Sequence, residues 1–318
     1  MFVEIVLGFT SLIAVFGIAS LIKRVDVDPK GKAVLITGCD TGFGYQLSKA
    51  LDRLGYLVYA GCLFQDGENA KELEKATSSN LTILQLDVTN DKQVSEAFQL
   101  INSNLNVKNL NGLWAVVNNA GTSTFGHVEW NTMDTYKFVS EVNLFGTIRI
   151  TKAFLPLIRK VKGRVINIAS GLARQGAAGR SPYVVSKYGV EGFSQCLRYE
   201  MKEWGVHVSI IEPGNFVAAT NIFTDESISK LSKKMWEEMS EEVQEAYGKG
   251  VFDGSVQIMK YYSECGVKDT SPVVNSLKDA VTKKYPKVRY EPKDLYWHVR
   301  TFVMLHMPHF ISDRLYHF

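Results

Sequence analysis

A tyrosine, a lysine and a serine near the middle of the chain are the residue types needed to remove a proton from an alcohol. Tyr183 and Lys187 are four residues apart in a predicted helix, so both side chains lie on one helix face, about 5–6 Å apart at Cβ. Ser170 ends an apolar run of residues 165–168 and precedes them by a loop. A phenol can act as the base, an ammonium can lower its pKa, and a hydroxyl can orient the alcohol. Together they predict proton abstraction from a carbinol.

The spacing of tyrosine and lysine is weak evidence on its own. Of the 14 tyrosines, two have a lysine four residues later, and the second pair is Tyr45 and Lys49. Tyr183 has Ser170 thirteen residues before it, whereas Tyr45 has Lys32 at that position. The surrounding elements must therefore distinguish the two pairs.

The composition is that of an ordinary globular protein and argues against several functions. The 318 residues, 46% hydrophobic and 22% charged, suffice for one large α/β domain or two smaller ones. A net charge of +3 without long basic runs predicts no nucleic-acid partner. Four cysteines far apart fit reduced thiols better than disulfides or zinc. We expect no metal, because Pro308 interrupts the one HxxH pattern, His306 and His309.

The first residues predict an uncleaved membrane anchor. Residues 5–22 carry no charge and are followed by Lys23 and Arg24, near the lower length limit of a spanning helix. Glu4 and the lack of an earlier arginine do not fit a mitochondrial transit peptide. The basic pair predicts an endoplasmic reticulum membrane protein whose catalytic domain faces the cytosol. A cleaved or merely interfacial segment is the alternative.

A glycine-rich loop predicts a dinucleotide site. Strand 32–37 runs into TGCDTGFG and then into a helix that reaches residue 54. Gly38, Gly42 and Gly44 let the backbone turn tightly and let a pyrophosphate approach the helix N-terminus, where free N–H groups and the helix dipole favour anions.

The choice between NAD and NADP is less clear from the sequence. An acid at the end of the second strand, 57–62, would select NAD, and an arginine would select NADP. Cys62 and Leu63 stand there instead. Asp40 in the glycine loop would repel a 2′-phosphate, so we expect NAD.

Strands and helices alternate along most of the chain. Further strands are predicted over residues 81–86, 113–117, 165–168, 207–212 and 288–290. This alternation predicts an α/β Rossmann fold, a doubly wound parallel sheet of about seven strands. We assign residues 1–25 to the anchor, 31–291 to the Rossmann domain and 292–318 to an aromatic tail that docks on the core or lies at a membrane surface.

Residues 221–265 interrupt the alternation with amphipathic helices, the first capped by Thr224, and another helix is predicted to start with Ser271 as cap and Pro272 at its first position. An insertion after the sixth strand predicts a substrate lid, with an ordinary packed helical pair as the alternative.

Polar residues stand at the carboxyl ends of other predicted strands. Asp87 follows the third strand, and NNAG at 118–121 follows the fourth. Such ends border the ligand crevice of an open parallel sheet, although a helix cap at Asp87 and a plain turn at NNAG are alternatives. Asn143, in the apolar segment VNLFG, either holds a water near Lys187 or is satisfied by a neighbour at a helix kink.

These motifs, in this order, resemble the short-chain dehydrogenase/reductase family over residues 31 to about 290. They are TGxxxGxG at 38–44, NNAG, Asn143, Ser170, Tyr183xxxLys187 and Pro213-Gly214. TGCDTGFG resembles the branch of retinol, hydroxysteroid and membrane-associated D-3-hydroxybutyrate dehydrogenases. LRYEM, EPGNFVAAT, KKMWEE, DTSPV and ISDRLY are most similar to the last group, whose mitochondrial members make the inner membrane or matrix the alternative location.

The resemblance implies a role for each matched residue. Tyr183 would be the catalytic base, and Lys187 would lower its pKa and hold the nicotinamide ribose. Ser170 would bind the substrate oxygen, and Asn143 would hold the water of a proton relay. The residues expected to contact NAD are Gly38, Asp40, Gly42, Phe43, Gly44, Cys62, Asp87, Val88, Asn119, Ala120, Gly121, Tyr183, Lys187, Pro213, Gly214, Phe216 and Val217.

The expected reaction is the NAD-dependent interconversion of a secondary alcohol and a ketone. The resemblance favours (R)-3-hydroxybutyrate and acetoacetate, with retinol or a 17β- or 3α-hydroxysteroid as the alternative. A hydroxy acid needs a cation in the pocket, and the loop after Ser170 offers Arg174 and Arg180 unless both are solvated. Arg180 is the better candidate because it lies closer to Tyr183.

A catalytically silent dinucleotide-binding scaffold or sensor is the alternative from another class, and the intact Ser, Tyr and Lys set argues against it. The helices near Met133 and Pro182 could pair between subunits, so we expect a homo-oligomer, with membrane lipid as a further partner.

Overall fold

A seven-stranded parallel sheet forms the centre of the protein, as predicted. The structure is a computed structural model and describes residues 25–316. The strands are β1 Ala33–Thr37, β2 Leu57–Cys62, β3 Leu81–Gln85, β4 Ala115–Asn118, β5 Arg164–Ile168, β6 His207–Ile211 and β7 Arg289–Tyr290. Their order is β3-β2-β1-β4-β5-β6-β7, and every neighbouring pair is parallel.

Helices connect the strands and cover both faces of the sheet. They are α1 Gly42–Arg53, α2 Glu68–Lys75, α3 Asp91–Val107, α4 Met133–Ser140, α5 Gly146–Lys160, α6 Ser181–Met201, α7 Asp225–Glu238, α8 Glu241–Glu264, α9 Ser271–Thr282, α10 Leu295–His306 and α11 His309–Tyr316. A π-helical turn, Glu141–Phe145, joins α4 to α5.

The strands are apolar throughout because both faces of the sheet are covered. Along β1, Val34 and Ile36 pack into a layer with α1 and α9, while Ala33 and Leu35 pack into the opposite layer with α3 and α5. All five β1 residues are buried. This is the expected arrangement for a central strand of a parallel sheet.

The insertion after β6 forms a packed helical pair with its own apolar cluster. Helix α7 begins with a capping box at Thr224. Helix α8 contains a kink at Gly248, whose φ of 73° lies in the left-handed region that glycine tolerates. Both helices pack around Phe125 and Trp130 from the segment after β4.

Helix α9 begins at Ser271 as expected, but the predicted side-chain cap is wrong. Its N-cap is Thr270, whose backbone is already helical and whose side chain makes no capping bond.

The C-terminal tail forms α10 and α11, and part of it docks on the core. Thr301 is buried, and Trp297 lies against Gly214, where a Cβ would be 3.5 Å from its Cδ1, whereas Leu295 and Phe310 are exposed. Within residues 25–316, no helix is both long enough and apolar enough to cross a bilayer. Residues 1–24, which carry the predicted anchor, lie outside the described part of the chain.

A buried arginine joins the sheet to the end of α9. Arg164 opens β5, and its Nη1 donates to the carbonyl oxygens of Ala280 (2.9 Å) and Lys283 (2.8 Å). These carbonyls are among those that a helix C-terminus leaves without an intrahelical partner. The guanidinium also lies 4.3 Å from the Trp114 ring centroid. Burial lowers the pKa of Arg164 to about 10.

Replacing this arginine should destabilise the fold. In Arg164→Met the two carbonyls lose a charged donor, so we expect the free energy of unfolding to fall by about 3 kcal/mol. The shift in the urea unfolding midpoint measures the change. Arg53→Met, at an exposed position, is the control and should stay within about 0.5 kcal/mol of the parent. Equal effects of the two variants would contradict the assignment.

Candidate active site

A cavity of about 460 Å³, the first cavity, lies at the carboxyl end of the sheet, where the strand order reverses between β1 and β4. Ligands bind at this point in open parallel sheets. Most residues predicted to contact a cofactor line it: Gly38, Asp40, Gly42, Phe43, Asp87, Val88, Asn119, Ala120, Gly121, Tyr183, Lys187, Pro213, Gly214, Phe216 and Val217. The sequence did not single out Phe138 or Asn221, which also line it.

The glycines of the loop after β1 serve different purposes. Gly38 and Gly42 have φ angles of +68° and +61°, which an L side chain rarely adopts. Gly44 does not line the cavity, but a Cβ there would lie 2.4 Å from the Gly38 oxygen. Asn119 Nδ2 donates to the oxygens of Thr37 and Gly38 at 2.8 Å each. This amide therefore fastens the loop to the end of β4.

Cys62 does not line the first cavity, so direct contact with a ligand there is not supported. Its side chain is fully buried among core residues, because alternate strand residues point to opposite faces. The next residue, Leu63, lines the cavity instead. Its N–H donates to Asp40 Oδ2 at 2.8 Å, and the N–H of Phe64 donates to Oδ1 at 3.0 Å. Asp40 thus sets the shape of the cavity next to the end of β2.

Asp87 lines the cavity from within a turn. Its Oδ1 accepts from the Thr89 N–H at 2.9 Å and from Thr89 Oγ1 at 2.8 Å. The helix cap that the sequence allowed at Asp87 is at Asn90 instead, which accepts from two N–H groups of α3.

Tyr183 lies in the first turn of α6 and faces Ser170 across the loop from β5. Burial raises the pKa of Tyr183, while a hydrogen bond with Ser170 and the positive charge of Arg180 lower it. Ser170 Oγ also accepts from the Leu172 N–H at 3.1 Å, which orients the hydroxyl. Tyr45, the other tyrosine with a lysine four residues later, lies in α1.

Lys187 is buried one turn after Tyr183. Its Nζ donates to the Ile168 carbonyl oxygen at 2.8 Å and lies 5.9 Å from the Tyr183 ring centroid. Burial lowers the pKa of Lys187 to about 8. Arg180 is thus the cation that lowers the pKa of Tyr183, a role that the sequence assigned to Lys187.

Asn143 lies in the π-helical turn, fully buried, with both ends of its amide bonded. Nδ2 donates to the Thr122 oxygen and to Ser186 Oγ, each at 2.9 Å, and Oδ1 accepts from the Thr122 N–H at 2.8 Å. Ser186 Oγ in turn donates to the Tyr183 carbonyl oxygen at 2.7 Å. The amide thus connects the segment after β4 to the start of α6. Thr122 and Ser186 were missed because no motif marks them.

The two arginines of the loop after Ser170 have different surroundings. Arg174 does not line the first cavity, and its Nη1 lies 3.9 Å from Glu212 Oε2. That residue, predicted as a substrate ligand, faces a carboxylate instead. Arg180 forms no ion pair with any residue in 25–316 and lies 5.4 Å from the Tyr183 ring centroid. Its Nη2 donates to Ser123 Oγ at 3.0 Å.

A second cavity, of about 340 Å³, has Arg180 in its wall. Helix α8 contributes Met259 and Tyr262, and α10 contributes Trp297 and Arg300. The insertion, which the sequence predicted as a substrate lid, and the C-terminal tail therefore both line a cavity that has Arg180 in its wall.

The arrangement combines the phenol of Tyr183, the hydroxyl of Ser170 in the same cavity, and two cations near the Tyr183 ring. These groups can take a proton from an alcohol and hold an anion. In the described part of the chain, no group of three or more His, Cys, Asp or Glu could hold a metal ion. The pattern His306 and His309 belongs to two different helices, α10 and α11.

Comparison with known proteins agrees with this geometry. A family model described as short chain dehydrogenase matches residues 32–230. D-beta-hydroxybutyrate dehydrogenase, mitochondrial, from Rattus norvegicus is 50% identical over 288 residues, covering 90% of this chain and 84% of that protein. Retinol dehydrogenase 7 from Mus musculus is 37% identical over 311 residues, covering 96% and 95%.

Solved structures share the fold. A short-chain dehydrogenase from Streptomyces avermitilis matches with a TM-score of 0.67 at 24% identity, covering 89% of this chain and 94% of that one. A short-chain dehydrogenase/reductase from Burkholderia phymatum, solved in complex with NAD, matches with a TM-score of 0.69 at 17% identity, covering 91% and 96%.

The buried charge of Lys187 should cost stability at neutral pH. Its pKa falls from 10.5 to about 8, so the unfolded chain binds more protons between those pH values and stability rises with pH through that window. At pH 7 the full cost is present, up to about 3 kcal/mol. Lys187→Met removes this titration and also leaves the Ile168 carbonyl oxygen without its donor. Relative to this variant, the parent should therefore gain melting temperature between pH 7 and about pH 10.

Thermal unfolding of both proteins at the two pH values measures this difference. Lys71→Met, at an exposed position of α2, is the matched control and should show no such pH-dependent gain. A parent whose melting temperature does not rise relative to that of Lys187→Met between these pH values would contradict the lowered pKa of Lys187.

Proposed function

The chain belongs to the short-chain dehydrogenase family, and we propose that it interconverts (R)-3-hydroxybutyrate and acetoacetate with NAD. The main support for a hydroxy acid as substrate is the position of Arg180. Its guanidinium lies beside Tyr183 and has no carboxylate partner in residues 25–316. Relatives named for hydroxybutyrate are also more similar in sequence than the retinol dehydrogenases given above. Three of the four catalytic candidates, Ser170, Tyr183 and Lys187, line one cavity, which argues against a silent scaffold.

The residues of the first cavity fit a dinucleotide. Gly38 and Gly42 leave the loop free of side chains where a pyrophosphate approaches α1. Asp40 and Asp87 line the cavity, whereas Lys187 is its one basic lining residue and lies beside Tyr183. The 2′-phosphate of NADP would therefore lie near carboxylates, with no cation near Leu63 to bind it, so NAD is the cofactor. When bound, NAD accepts a hydride from the carbinol carbon.

The chain's own residues handle the proton. Tyr183 takes the hydroxyl proton on its phenolic oxygen during oxidation and returns it during ketone reduction. Ser170, which lines the same cavity as Tyr183, holds the substrate oxygen next to that phenol. Lys187 and Arg180 favour the phenolate by their charge. Asn143 acts as a positioning residue, because its amide is bonded to Thr122 and to Ser186, which in turn bonds the start of α6. The water of the proton relay would therefore bond to the backbone and not to the Asn143 side chain.

Arg180 suits the carboxylate of a hydroxy acid. A guanidinium can donate two parallel hydrogen bonds to a carboxylate. Its Nε is buried without an acceptor in the described structure. The rings of Tyr183, Phe223 and Tyr262 surround it, with centroids at 5.4, 5.1 and 5.8 Å. A bound carboxylate would supply the missing acceptor within reach of the catalytic phenol.

Retinol or a hydroxysteroid remains the second candidate because the second cavity has aromatic walls. Trp130, Tyr262 and Trp297 line it. A neutral lipid, however, would leave Arg180 desolvated and unpaired, which costs free energy.

We also propose a mitochondrial enzyme attached to a membrane through residues 5–22, in keeping with the mitochondrial relatives. Exposed Met133 and Phe138 on α4 and Val185 and Tyr188 on α6 support pairing of subunits through these helices. Fractionated mitochondria extracted with carbonate, and light scattering of the purified protein, test these two points. A soluble fraction or a monomer would contradict them.

The function is tested by NADH formation from (R)-3-hydroxybutyrate, all-trans-retinol, estradiol and androsterone, each given separately. We expect activity with the hydroxy acid and its loss in Tyr183→Phe. Activity with retinol or a steroid alone would overturn the substrate, and full activity of Tyr183→Phe would overturn the mechanism.

The two loop arginines provide a matched pair for the carboxylate site. Arg180→Met removes charged hydrogen bonds worth about 2–3 kcal/mol, so kcat/KM for hydroxybutyrate should fall roughly 30- to 150-fold. Arg174→Met makes the same change in the same loop next to Glu212 and should alter it less than about three-fold. NAD binding, measured by calorimetry, should persist in both. Equal losses in the two variants would contradict the role of Arg180.

A further inference from the structure

The second cavity is larger than a four-carbon acid needs. Its volume of about 340 Å³ falls within the range of about 300–1,000 Å³ typical of pockets for drug-sized ligands. Hydroxybutyrate has seven non-hydrogen atoms, and its carboxylate is already accounted for by Arg180. Most of the cavity therefore remains to be filled by something other than the proposed substrate.

The walls of the second cavity are apolar. Phe125 and Trp130 come from the segment after β4, Ile258 and Met259 from α8, and Trp297 from α10. Phe125, Trp130 and Met259 are also members of the buried cluster beneath the insertion, so this side of the wall is firmly packed. Such a wall suits a hydrocarbon chain.

The cavity is also positively charged. Arg180 and Arg300 line it, and no aspartate or glutamate does. Arg300 lies 5.5 Å from the Trp297 ring centroid and 5.0 Å from that of Tyr316, and it forms no ion pair with the described residues. The Nε atoms of both arginines are buried without an acceptor. A ligand that matches these walls is an anion with an apolar body.

We propose that the second cavity binds the alkyl chain of a medium-chain 3-hydroxy acid, so that substrates extend to about eight carbons. The inference rests on the proposed function. With the C3 hydroxyl on Tyr183, the carboxylate two bonds away reaches Arg180, and the other substituent of C3 continues into the cavity that Arg180 lines. Oxidation is unchanged: the hydroxyl proton goes to Tyr183, a hydride goes from C3 to NAD, and the products are the 3-oxo acid and NADH.

Chain length should therefore raise activity. Burial of a methylene gives about a four-fold gain, so four more methylenes should raise kcat/KM on the order of a hundred-fold. The experiment compares NADH formation from (R)-3-hydroxybutyrate, (R)-3-hydroxyhexanoate and (R)-3-hydroxyoctanoate with the full-length protein. Equal or falling kcat/KM along this series would overturn the inference.

A larger side chain in the second cavity should remove the preference for longer 3-hydroxy acids. Ser255 on α8 lines the second cavity, and Ser255→Phe should lower kcat/KM for the eight-carbon acid at least ten-fold while leaving the four-carbon acid within about three-fold. Ser263→Phe makes the same change later on α8, outside the cavity, and is the control. An unchanged chain-length profile in Ser255→Phe would contradict this location.

A binding measurement separates failure of the inference from failure of the proposed function. Calorimetry on Tyr183→Phe should show octanoate binding about a hundred-fold more tightly than butyrate, with octanol weaker than octanoate because it lacks the charge for Arg180. Oxidation of the four-carbon acid without tighter binding of octanoate than of butyrate would leave the proposed function intact and overturn the inference. Tight octanoate binding without oxidation of any hydroxy acid would overturn the proposed function. It would also overturn the inference that the second cavity binds the alkyl chain of a substrate, and would leave only a site for an anion.

Discussion

The active site depends on a buried ammonium that is held by a backbone carbonyl rather than by a carboxylate. The bond from Lys187 Nζ to the Ile168 oxygen, 2.8 Å long, joins α6 to the last residue of β5. Since Tyr183 precedes Lys187 by one helical turn and Ser170 follows Ile168 by two residues, the same bond sets the phenol against the hydroxyl. A carboxylate partner would have cancelled the charge that the phenolate needs. The cost is desolvation, which lowers the pKa of Lys187 to about 8.

Asparagine side chains hold the rest of the sheet's carboxyl edge in place. Asn118 donates to Thr151 Oγ1 at 2.9 Å and to Asn167 Oδ1 at 2.8 Å, and Asn167 donates to Ser194 Oγ at 2.8 Å. These bonds link β4 and β5 to α5 and α6. Asn143 and Asn119 do the same for the segments on either side of the strand reversal. Buried polar groups bonded in this way make the edge rigid, which is what a site for proton and hydride transfer requires.

The sequence predicted the seven strands to within two residues at each end, because a covered parallel sheet imposes apolar runs separated by helices. It also found many of the residues that line the first cavity, since most of those it found follow strand ends. Prediction from the sequence failed where the direction of a side chain decides which residues it contacts. Cys62 was chosen by position, but its side chain points into the core. Arg174 and Arg180 were both predicted to bind substrate, with Arg180 preferred only for its distance along the chain from Tyr183. In the structure Arg174 lies near Glu212, whereas Arg180 lies beside Tyr183. The second cavity joins segments more than a hundred residues apart, and no local pattern reports such a contact.

The surroundings of Arg180 explain how one fold can separate acids from neutral alcohols. Burial lowers the pKa of this guanidinium, which means that the protein carries a poorly solvated charge before the substrate arrives. Under the proposed function, an incoming carboxylate would replace the lost hydration and supply an acceptor for Nε, whereas a neutral alcohol would leave Nε unpaired. Specificity would then arise less from attraction to the acid than from the penalty on neutral alcohols. The aromatic rings around Arg180 strengthen this effect because they exclude water without offering a carboxylate.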